Sequence, residues 1–142
     1  MYIRKYQAED VEKVLDVWYD ASIQAHSFIS KEFWAAQKKD LREKYLPQAE
    51  SWVAIEEGEI VGFISLLGDY IGGLFIAPNY QGRGIGKKLV AKALETRKTL
   101  EVGVYKKNVA ATSFYKACGF EYVNEEFQPE TGEIVLNMIM KG

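Results

Sequence analysis

A glycine-rich segment between an apolar run and a helical pattern is the part of this sequence best suited to binding a ligand. Residues 74–94 read LFIAPNYQGRGIGKKLVAKAL, and glycine recurs at every second position, at Gly82, Gly84 and Gly86. A helix that begins within such a segment exposes unpaired backbone N–H groups and the positive end of its dipole, and glycine lets a ligand approach the main chain. These features favour a phosphate or pyrophosphate ligand, although a tight strand-to-helix turn alone would also use glycines.

Two familiar phosphate-binding loops do not match this segment. The dinucleotide pattern G-x-G-x-x-G, begun at either of the first two glycines, would require a further glycine where Lys87 or Leu89 stands. The P-loop pattern would require glycine at Gln81 and serine or threonine at Lys88. A different type of glycine loop is therefore predicted.

The elements around the loop follow the pattern of a mixed α/β protein. An initial strand precedes two helical segments, and a hairpin with its turn at Glu57 and Gly58 leads into a third strand. After the glycine loop the chain alternates helix, strand, helix and a final strand pair. The predicted helices span residues 11–25, 30–46, 84–97 and 108–118, the second of them stopping at Pro47, and the predicted strands span residues 2–6, two stretches within 51–68, 70–77, 100–105, 120–127 and 133–140.

Length and composition limit the classes of protein to consider. The 142 residues fit one domain, residues 1–142, and 48% hydrophobic content is enough for a sizeable core. A net charge of −2 with scattered basic residues favours neither nucleic acid nor a membrane surface as a partner. Cys118 is the only cysteine, which excludes an internal disulfide and a multi-cysteine metal site, and the first residues lack the apolar stretch of a signal peptide. A cytoplasmic protein without a metal is predicted, with Cys118 as a small core residue.

Two motifs in the second half of the chain resemble those of the GNAT superfamily of N-acetyltransferases. Residues 81–86, QGRGIG, resemble its Q/R-x-x-G-x-G/A signature, and residues 108–120, NVAATSFYKACGF, look like its second signature, which runs from Asn through a helix to Tyr and Gly-Phe. The resemblance implies a single-domain α/β fold with a twisted mixed sheet of about six or seven strands, flanked by about four helices and splayed at its middle. It also implies direct acetyl transfer from acetyl-coenzyme A, as co-substrate, to a primary amine. A non-catalytic acyl-coenzyme A binding or sensing domain is the alternative.

The resemblance also implies which residues bind acetyl-coenzyme A. The strand before the loop would hold the pantetheine arm and polarise the thioester carbonyl with a backbone N–H group, and the loop would hold the pyrophosphate. Asn108 also suits an ordinary helix N-cap, and its binding role comes from the resemblance. The predicted cofactor-binding residues are Leu74, Phe75, Ile76, Gly82, Arg83, Gly84, Ile85, Gly86, Lys87 and Asn108.

Tyr115 is the predicted general acid. A phenol with a pKa of about 10 can donate its proton to a departing thiolate with a pKa of about 8 to 9. Since Phe114 and Tyr115 lie on an amphipathic helix, a tyrosine that only packs in the core is the alternative. Retention of Tyr115 in the motif argues for catalysis over cofactor binding alone.

The base and the acceptor are less well specified by the sequence. Some relatives carry a glutamate five residues before the motif Asn, where this chain has Gly103. Glu101 lies two residues earlier on the same strand face and is one candidate base, with a solvent-exposed strand residue as its alternative. His26, the only histidine, lies in a region that shapes the acceptor pocket in the superfamily and is the other candidate, with a structural role as its alternative. A small amine, an aminoglycoside-like compound, a peptide N-terminus and a protein lysine all remain open as acceptors, and the protein is a monomer or a homodimer.

Overall fold

A single mixed sheet with helices on both faces organises the chain. The computed structural model describes residues 1–141, and over that range seven strands lie in the order β1-β2-β3-β4-β5-β7-β6. The strands are β1 Tyr2–Lys5, β2 Glu50–Glu56, β3 Glu59–Leu67, β4 Tyr70–Ile76, β5 Thr99–Tyr105, β6 Glu121–Gln128 and β7 Glu133–Lys141. The four main helices of this range are α1 Val11–Ala25, α2 Lys31–Asp40, α3 Ile85–Leu94 and α4 Val109–Ala117. The predicted mixed α/β fold, with about seven strands and four helices, is confirmed.

Local signals explain where most helices begin. Ser30 precedes α2 and its Oγ accepts a hydrogen bond from Phe33 N at 3.2 Å, as expected of an N-cap serine. Asn108 does the same for α4, since its side chain accepts from Ala111 N at 3.1 Å. Helix α3 instead follows Gly84, whose left-handed φ of 83° makes the sharp entry from the loop.

The second helical segment differs from its prediction as one helix over residues 30–46. Helix α2 ends at Asp40, a single π-helical turn covers Leu41–Tyr45, and a last α-helical turn covers Leu46–Gln48. Pro47 therefore lies inside the final turn and does not end the segment before it. Proline is tolerated in the first turn of a helical stretch because its missing N–H group would have no helical acceptor there.

Helix α3 is also shorter than the predicted residues 84–97. It ends at Leu94, and Arg97 is already in the connection to β5. There the Arg97 guanidinium forms an ion pair with Glu50 at the start of β2 and donates to Gly68 O at 3.2 Å. These contacts fix the connection against the β2 and β3 ends.

Apolar side chains pack on both faces of the sheet. One cluster joins α3 and α4 to the sheet and contains Leu89, Ile64 and Leu100, while the other joins α1 and α2 to it and contains Trp18 and Phe63. Strand β6 lies at the sheet edge and is exposed along nearly its whole length. Within residues 1–141, no helix is both long enough and apolar enough to span a membrane.

Strands β4 and β5 separate soon after they meet. Their parallel pairing consists of Tyr70 with Glu101 and Ile71 with Val102, whereas β4 stays paired with β3 from Tyr70 to Ile76. The part of β4 after Ile71 therefore turns one edge of its backbone away from any neighbouring strand. This separation is the splay expected from the resemblance, and it opens the middle of the sheet.

Candidate functional site

A cavity of about 530 Å³ lies where the two strands separate. Strand β4, the glycine loop, α4 and the end of α1 form its walls, with Ile76, Gly84, Ala111, Tyr115 and His26 among the lining residues. Its volume is within the range of small-molecule and cofactor sites. A second cavity of about 120 Å³ lies between β4 and β5 and shares Tyr115, His26 and Asn108 with the first.

The glycine loop presents its backbone to the larger cavity. Gly82 and Gly84 have φ values of 77° and 83°, and a Cβ atom added to either would meet nothing within 4 Å. The first hydrogen bond of α3 runs from Lys88 N to Gly84 O at 3.2 Å. Within the described part of the chain, the N–H groups of residues 82–87 have no backbone partner. This row of donors at the start of a ten-residue helix is suited to an anionic group such as a pyrophosphate.

Gly86 has a different role from the other two glycines. A Cβ atom at this position would lie 3.1 Å from the ring of Phe114 on α4. Gly86 therefore allows α3 and α4 to pack closely, and this packing narrows the cavity between them. Both helices line the cavity in this region.

The side chains of the loop divide into those that face the cavity and those that brace the loop. Lys87 and Ile85 line the cavity. Arg83, also predicted to bind the ligand, instead donates to Asn79 O at 3.1 Å and lies over the Tyr80 ring at 4.9 Å. It is not among the residues that line the cavity, and its binding role stays a prediction.

Gln81 braces the loop in a way that the sequence patterns did not indicate. Its Nε2 donates to Ile76 O at 2.9 Å and to Gln24 Oε1 at 3.0 Å. The first bond ties the loop to the end of β4 and the second ties it to α1. The glutamine of the QGRGIG motif thus positions the loop while also lining the larger cavity, and this role could not be inferred without knowing which elements lie beside it.

Strand β4 supplies the wall opposite α4. All three predicted residues, Leu74, Phe75 and Ile76, line the larger cavity. Since β5 no longer pairs with this part of β4, backbone groups there are available to a ligand in extended conformation. A narrow, largely apolar slot that ends at a row of free N–H groups fits an elongated acyl carrier with a pyrophosphate at one end.

Tyr115 reaches both cavities from α4. The residue is 7% exposed, and its ring packs edge-on against Phe114 and Phe120. Burial raises its pKa well above the ordinary value, and the neighbouring Cys118 and Tyr70 add to the effect. The hydroxyl therefore stays protonated at neutral pH and is a proton donor rather than a base.

His26 and Asn108 lie together at the inner end of the cavity, although 82 residues separate them. Asn108 Nδ2 is 3.0 Å from His26 Nε2, and Asn108 Oδ1 accepts from Ala111 N. The imidazole is 8% exposed and packs against Trp34 and Tyr105. Burial lowers the pKa of His26, so the ring is neutral at neutral pH.

Glu101, the other candidate base, lies apart from both cavities. Its side chain is exposed on β5, and its backbone N donates to Asp69 O at 2.9 Å. It does not line either cavity. Cys118 is partly buried, and burial raises the pKa of its thiol, as expected of a packing residue. Among residues 1–141, no three His, Cys, Asp or Glu side chains form a group that could hold a metal ion.

Comparison with known sequences finds a family match over most of the chain. The model of the acetyltransferase (GNAT) family matches residues 10–120. Peptidyl-lysine N-acetyltransferase YiaC of Escherichia coli is 35% identical over 130 residues, which cover 91% of this chain and 89% of the relative. Peptidyl-lysine N-acetyltransferase YjaB of Salmonella typhimurium is 35% identical over 140 residues, 96% of each chain.

Comparison with solved structures agrees with the comparison of sequences. The apo form of YjaB from Escherichia coli, solved in solution, superposes with a TM-score of 0.86 at 31% identity, covering 99% of this chain and 97% of that one. The PaiA N-acetyltransferase of Thermoplasma acidophilum, crystallised with coenzyme A, has a TM-score of 0.85 at 22% identity, covering 99% and 98% of the two chains. The second likeness shows a shared fold.

Proposed function

The chain belongs to the acetyltransferase (GNAT) family and is an acetyl-coenzyme A dependent N-acetyltransferase, and we propose that its acceptor is the ε-amine of a lysine in a peptide or protein. The proposal takes residues 1–142 as one catalytic domain. Two relatives that match nearly their full length with this chain carry the name peptidyl-lysine N-acetyltransferase, which supports this acceptor class.

One observation carries the choice of acceptor. The slot between β4 and β5 is flanked by an exposed, polar and anionic sheet face, where Asn137 Nδ2 donates to Asn124 Oδ1 at 2.8 Å and to Glu126 Oε1 at 3.1 Å. Glu101 is exposed on the neighbouring strand β5. An open face of this charge suits a cationic segment of a larger partner, whereas a small amine is ordinarily enclosed.

A lysine side chain also has the reach that this arrangement requires. Its ammonium stands on a flexible stem of four carbons, so the amine can enter a narrow slot while the peptide backbone stays on the surface. A peptide N-terminus lacks such a stem. The geometry therefore favours the ε-amine over the α-amine.

In the proposed reaction, acetyl-coenzyme A supplies the thioester, and the residues of this chain bind and orient it. The free N–H groups of residues 82–87 hold the pyrophosphate, and Lys87 adds a positive charge beside them. The unpaired edge of β4 at Leu74–Ile76 holds the arm and directs a backbone N–H group at the thioester carbonyl. Asn108 shapes the inner end of the site through its contact with His26.

Tyr115 completes the transfer as general acid. As the amine nitrogen bonds to the carbonyl carbon and the carbon–sulfur bond breaks, Tyr115 Oη donates its proton to the departing sulfur, and the proton that the nitrogen loses as the amide forms restores the phenol. Its raised pKa keeps this proton in place at neutral pH, and its contact with the cavity brings the hydroxyl to the reacting atoms. Of the two predicted bases, His26 lines both cavities and Glu101 lines neither. Position alone does not make His26 the base, and we assign that role to neither residue.

An acceptor panel tests the proposal. Wild-type protein is incubated with acetyl-coenzyme A and each of three acceptors, and thiol release is followed with a no-acceptor control. The acceptors are a peptide with one lysine and a blocked N-terminus, its lysine-to-arginine counterpart with a free N-terminus, and a small diamine. We expect the first to be acetylated with the highest kcat/KM, and higher kcat/KM for either of the others would contradict the lysine assignment.

A further inference from the structure

The phenol of Tyr70 lies where a side chain at position 103 would otherwise be. A Cβ atom added to Gly103 would be 2.8 Å from Tyr70 Oη, 3.2 Å from Val135 Cγ1 and 3.6 Å from Asn137 Oδ1. From this placement, and resting on the proposed function, we infer that Tyr70 is a further catalytic residue, which takes the proton that the acceptor amine loses and passes its own proton on to solvent.

The strand register brings Tyr70 to this place. Tyr70 is the first residue of β4 and pairs with Glu101 of β5, one pair before the strands separate. On β5, Leu100, Val102 and Val104 are buried in the cluster that packs against α3 and α4. Side chains alternate along a strand, so Glu101 and Gly103 point to the opposite face. Tyr70 Oη therefore stands over β5 on the face where a polypeptide acceptor is proposed to bind.

The phenol is adjacent to the reacting end of the site. Gly103 and Tyr115 both line the smaller cavity between β4 and β5. Tyr70 does not line this cavity itself, but its Oη lies 2.8 Å from where a Cβ atom of residue 103 would be. One phenol on each side of the slot can thus serve the two proton transfers of the reaction.

The charge state of Tyr70 suits a relay and not a permanently ionised base. Burial raises its pKa, the Gly103 backbone opposes this, and the carboxylates of Glu126 on β6 and Glu101 on β5 raise it further. The β7 side chains beside position 103, Val135 and Asn137, are uncharged. Tyr70 is consequently a neutral phenol with lone pairs to accept a proton and a proton to release.

The proton balance of the step is simple. An ammonium N–H proton moves to Tyr70 Oη while the hydroxyl proton of Tyr70 moves to water or to Glu126, so the amine becomes neutral and the phenol is unchanged. The open, polar face at Asn137 and Glu126 gives that second proton a route to solvent. Tyr70 itself is 43% exposed, so water reaches it.

Replacing the hydroxyl alone is the first test. Tyr70→Phe keeps the ring, and we expect kcat/KM for the lysine peptide to fall by about tenfold or more, with the loss largest at low pH where the amine is most protonated. Affinity for coenzyme A, measured by calorimetry, should stay unchanged. Tyr122→Phe on β6 removes a phenol that is 56% exposed and outside both cavities, and it should behave as wild type.

A rescue experiment separates catalysis from packing. Tyr70→Ala vacates the space beside Gly103, and adding Gly103→Glu to it places a carboxylate there, which should restore much of the lost kcat/KM. Gly103→Glu alone, with Tyr70 still present, should not raise kcat/KM, because the new side chain would collide with the phenol oxygen. A Tyr70→Phe enzyme with wild-type kcat/KM and pH profile overturns the inference. If wild type prefers an amine other than lysine, the acceptor proposal fails, and the same Tyr70 comparison is read on that amine.

Discussion

Asn108 Nδ2 and His26 Nε2 are 3.0 Å apart, and this contact fixes the tautomer of the only histidine in the chain. The Asn108 oxygen already accepts from Ala111 N, so the group that faces His26 is the amide NH₂, a donor. His26 Nε2 must therefore accept, and in the neutral ring the proton is on Nδ1. Protonation of Nε2 would bring two donors face to face and weaken the link between α1 and α4.

The first prediction replaces the amide donor that faces His26 Nε2 with an acceptor of the same shape. In Asn108→Asp, one carboxylate oxygen still accepts from Ala111 N, but the other presents an acceptor and a negative charge to His26 Nε2. The pKa of His26 should therefore rise above its wild-type value, toward or past the ordinary value of about 6.5. An NMR titration of the imidazole measures this without ambiguity, because the chain has one histidine. A lower or unchanged pKa would contradict the assigned hydrogen bond.

The second prediction concerns stability and pH. Burial lowers the pKa of folded His26, so between that value and about 6.5 the unfolded chain binds more protons than the folded one. The free energy of unfolding should accordingly fall as the pH drops below about 6.5, with a slope of at most about 1.4 kcal/mol per pH unit from this group. Urea unfolding from about pH 7.5 to about pH 5 measures it.

His26→Gln is the control for this effect, since glutamine does not titrate. Its unfolding free energy should depend less on pH over the same window. An equal dependence in the two proteins would assign the titration to other groups.

The third prediction tests the glycine loop with a matched control. Gly84→Val forces a branched residue into a φ of 83° at a position that lines the cavity, so affinity for coenzyme A should fall by about tenfold or more. Gly58→Val in the hairpin turn imposes the same type of backbone strain at φ 79°, also with nothing within 4 Å, but away from the cavity. Calorimetry on the folded proteins should find normal affinity in Gly58→Val. Equal affinity for coenzyme A in the two variants would mean that the glycine loop is not part of the binding site.

The fourth prediction concerns Tyr115. Tyr115→Phe should keep the affinity for coenzyme A and reduce kcat by about a hundredfold, because one general acid is lost and the ring packing is retained. In the wild type, the raised pKa of Tyr115 means that kcat should not fall near pH 10 through loss of this proton. Steady-state kinetics across the alkaline range checks both statements. Full turnover in the Phe variant would make Tyr115 a packing residue.

The parts of the fold that depend on local pattern could be predicted from the sequence. Caps at Ser30 and Asn108, the hairpin turn at Glu57 and Gly58, and the strand-to-helix glycine loop all follow from residue types within a few positions. The π-helical turn before Pro47 and the early end of α3 could not be predicted in this way, because tertiary packing determines them.

The parts of the site that depend on long-range placement could not be predicted. The burial of His26 among aromatic side chains from α2 and β5, which lowers its pKa, is visible only in the folded structure. The phenol of Tyr70 over Gly103 depends on the register of two strands from distant parts of the chain. A glycine at position 103 indicated only that a side chain was absent there.

A bisubstrate conjugate tests whether one site of this protein joins the thioester to a lysine amine. Coenzyme A is linked through an acetyl bridge to the lysine ε-amine of a blocked peptide, and its dissociation constant is measured by calorimetry beside that of coenzyme A and of a conjugate linked through the peptide N-terminus. We expect the lysine conjugate to bind about tenfold or more tightly than either coenzyme A or the N-terminal conjugate. Affinity no greater than that of coenzyme A, or tighter binding of the N-terminal conjugate, would contradict it.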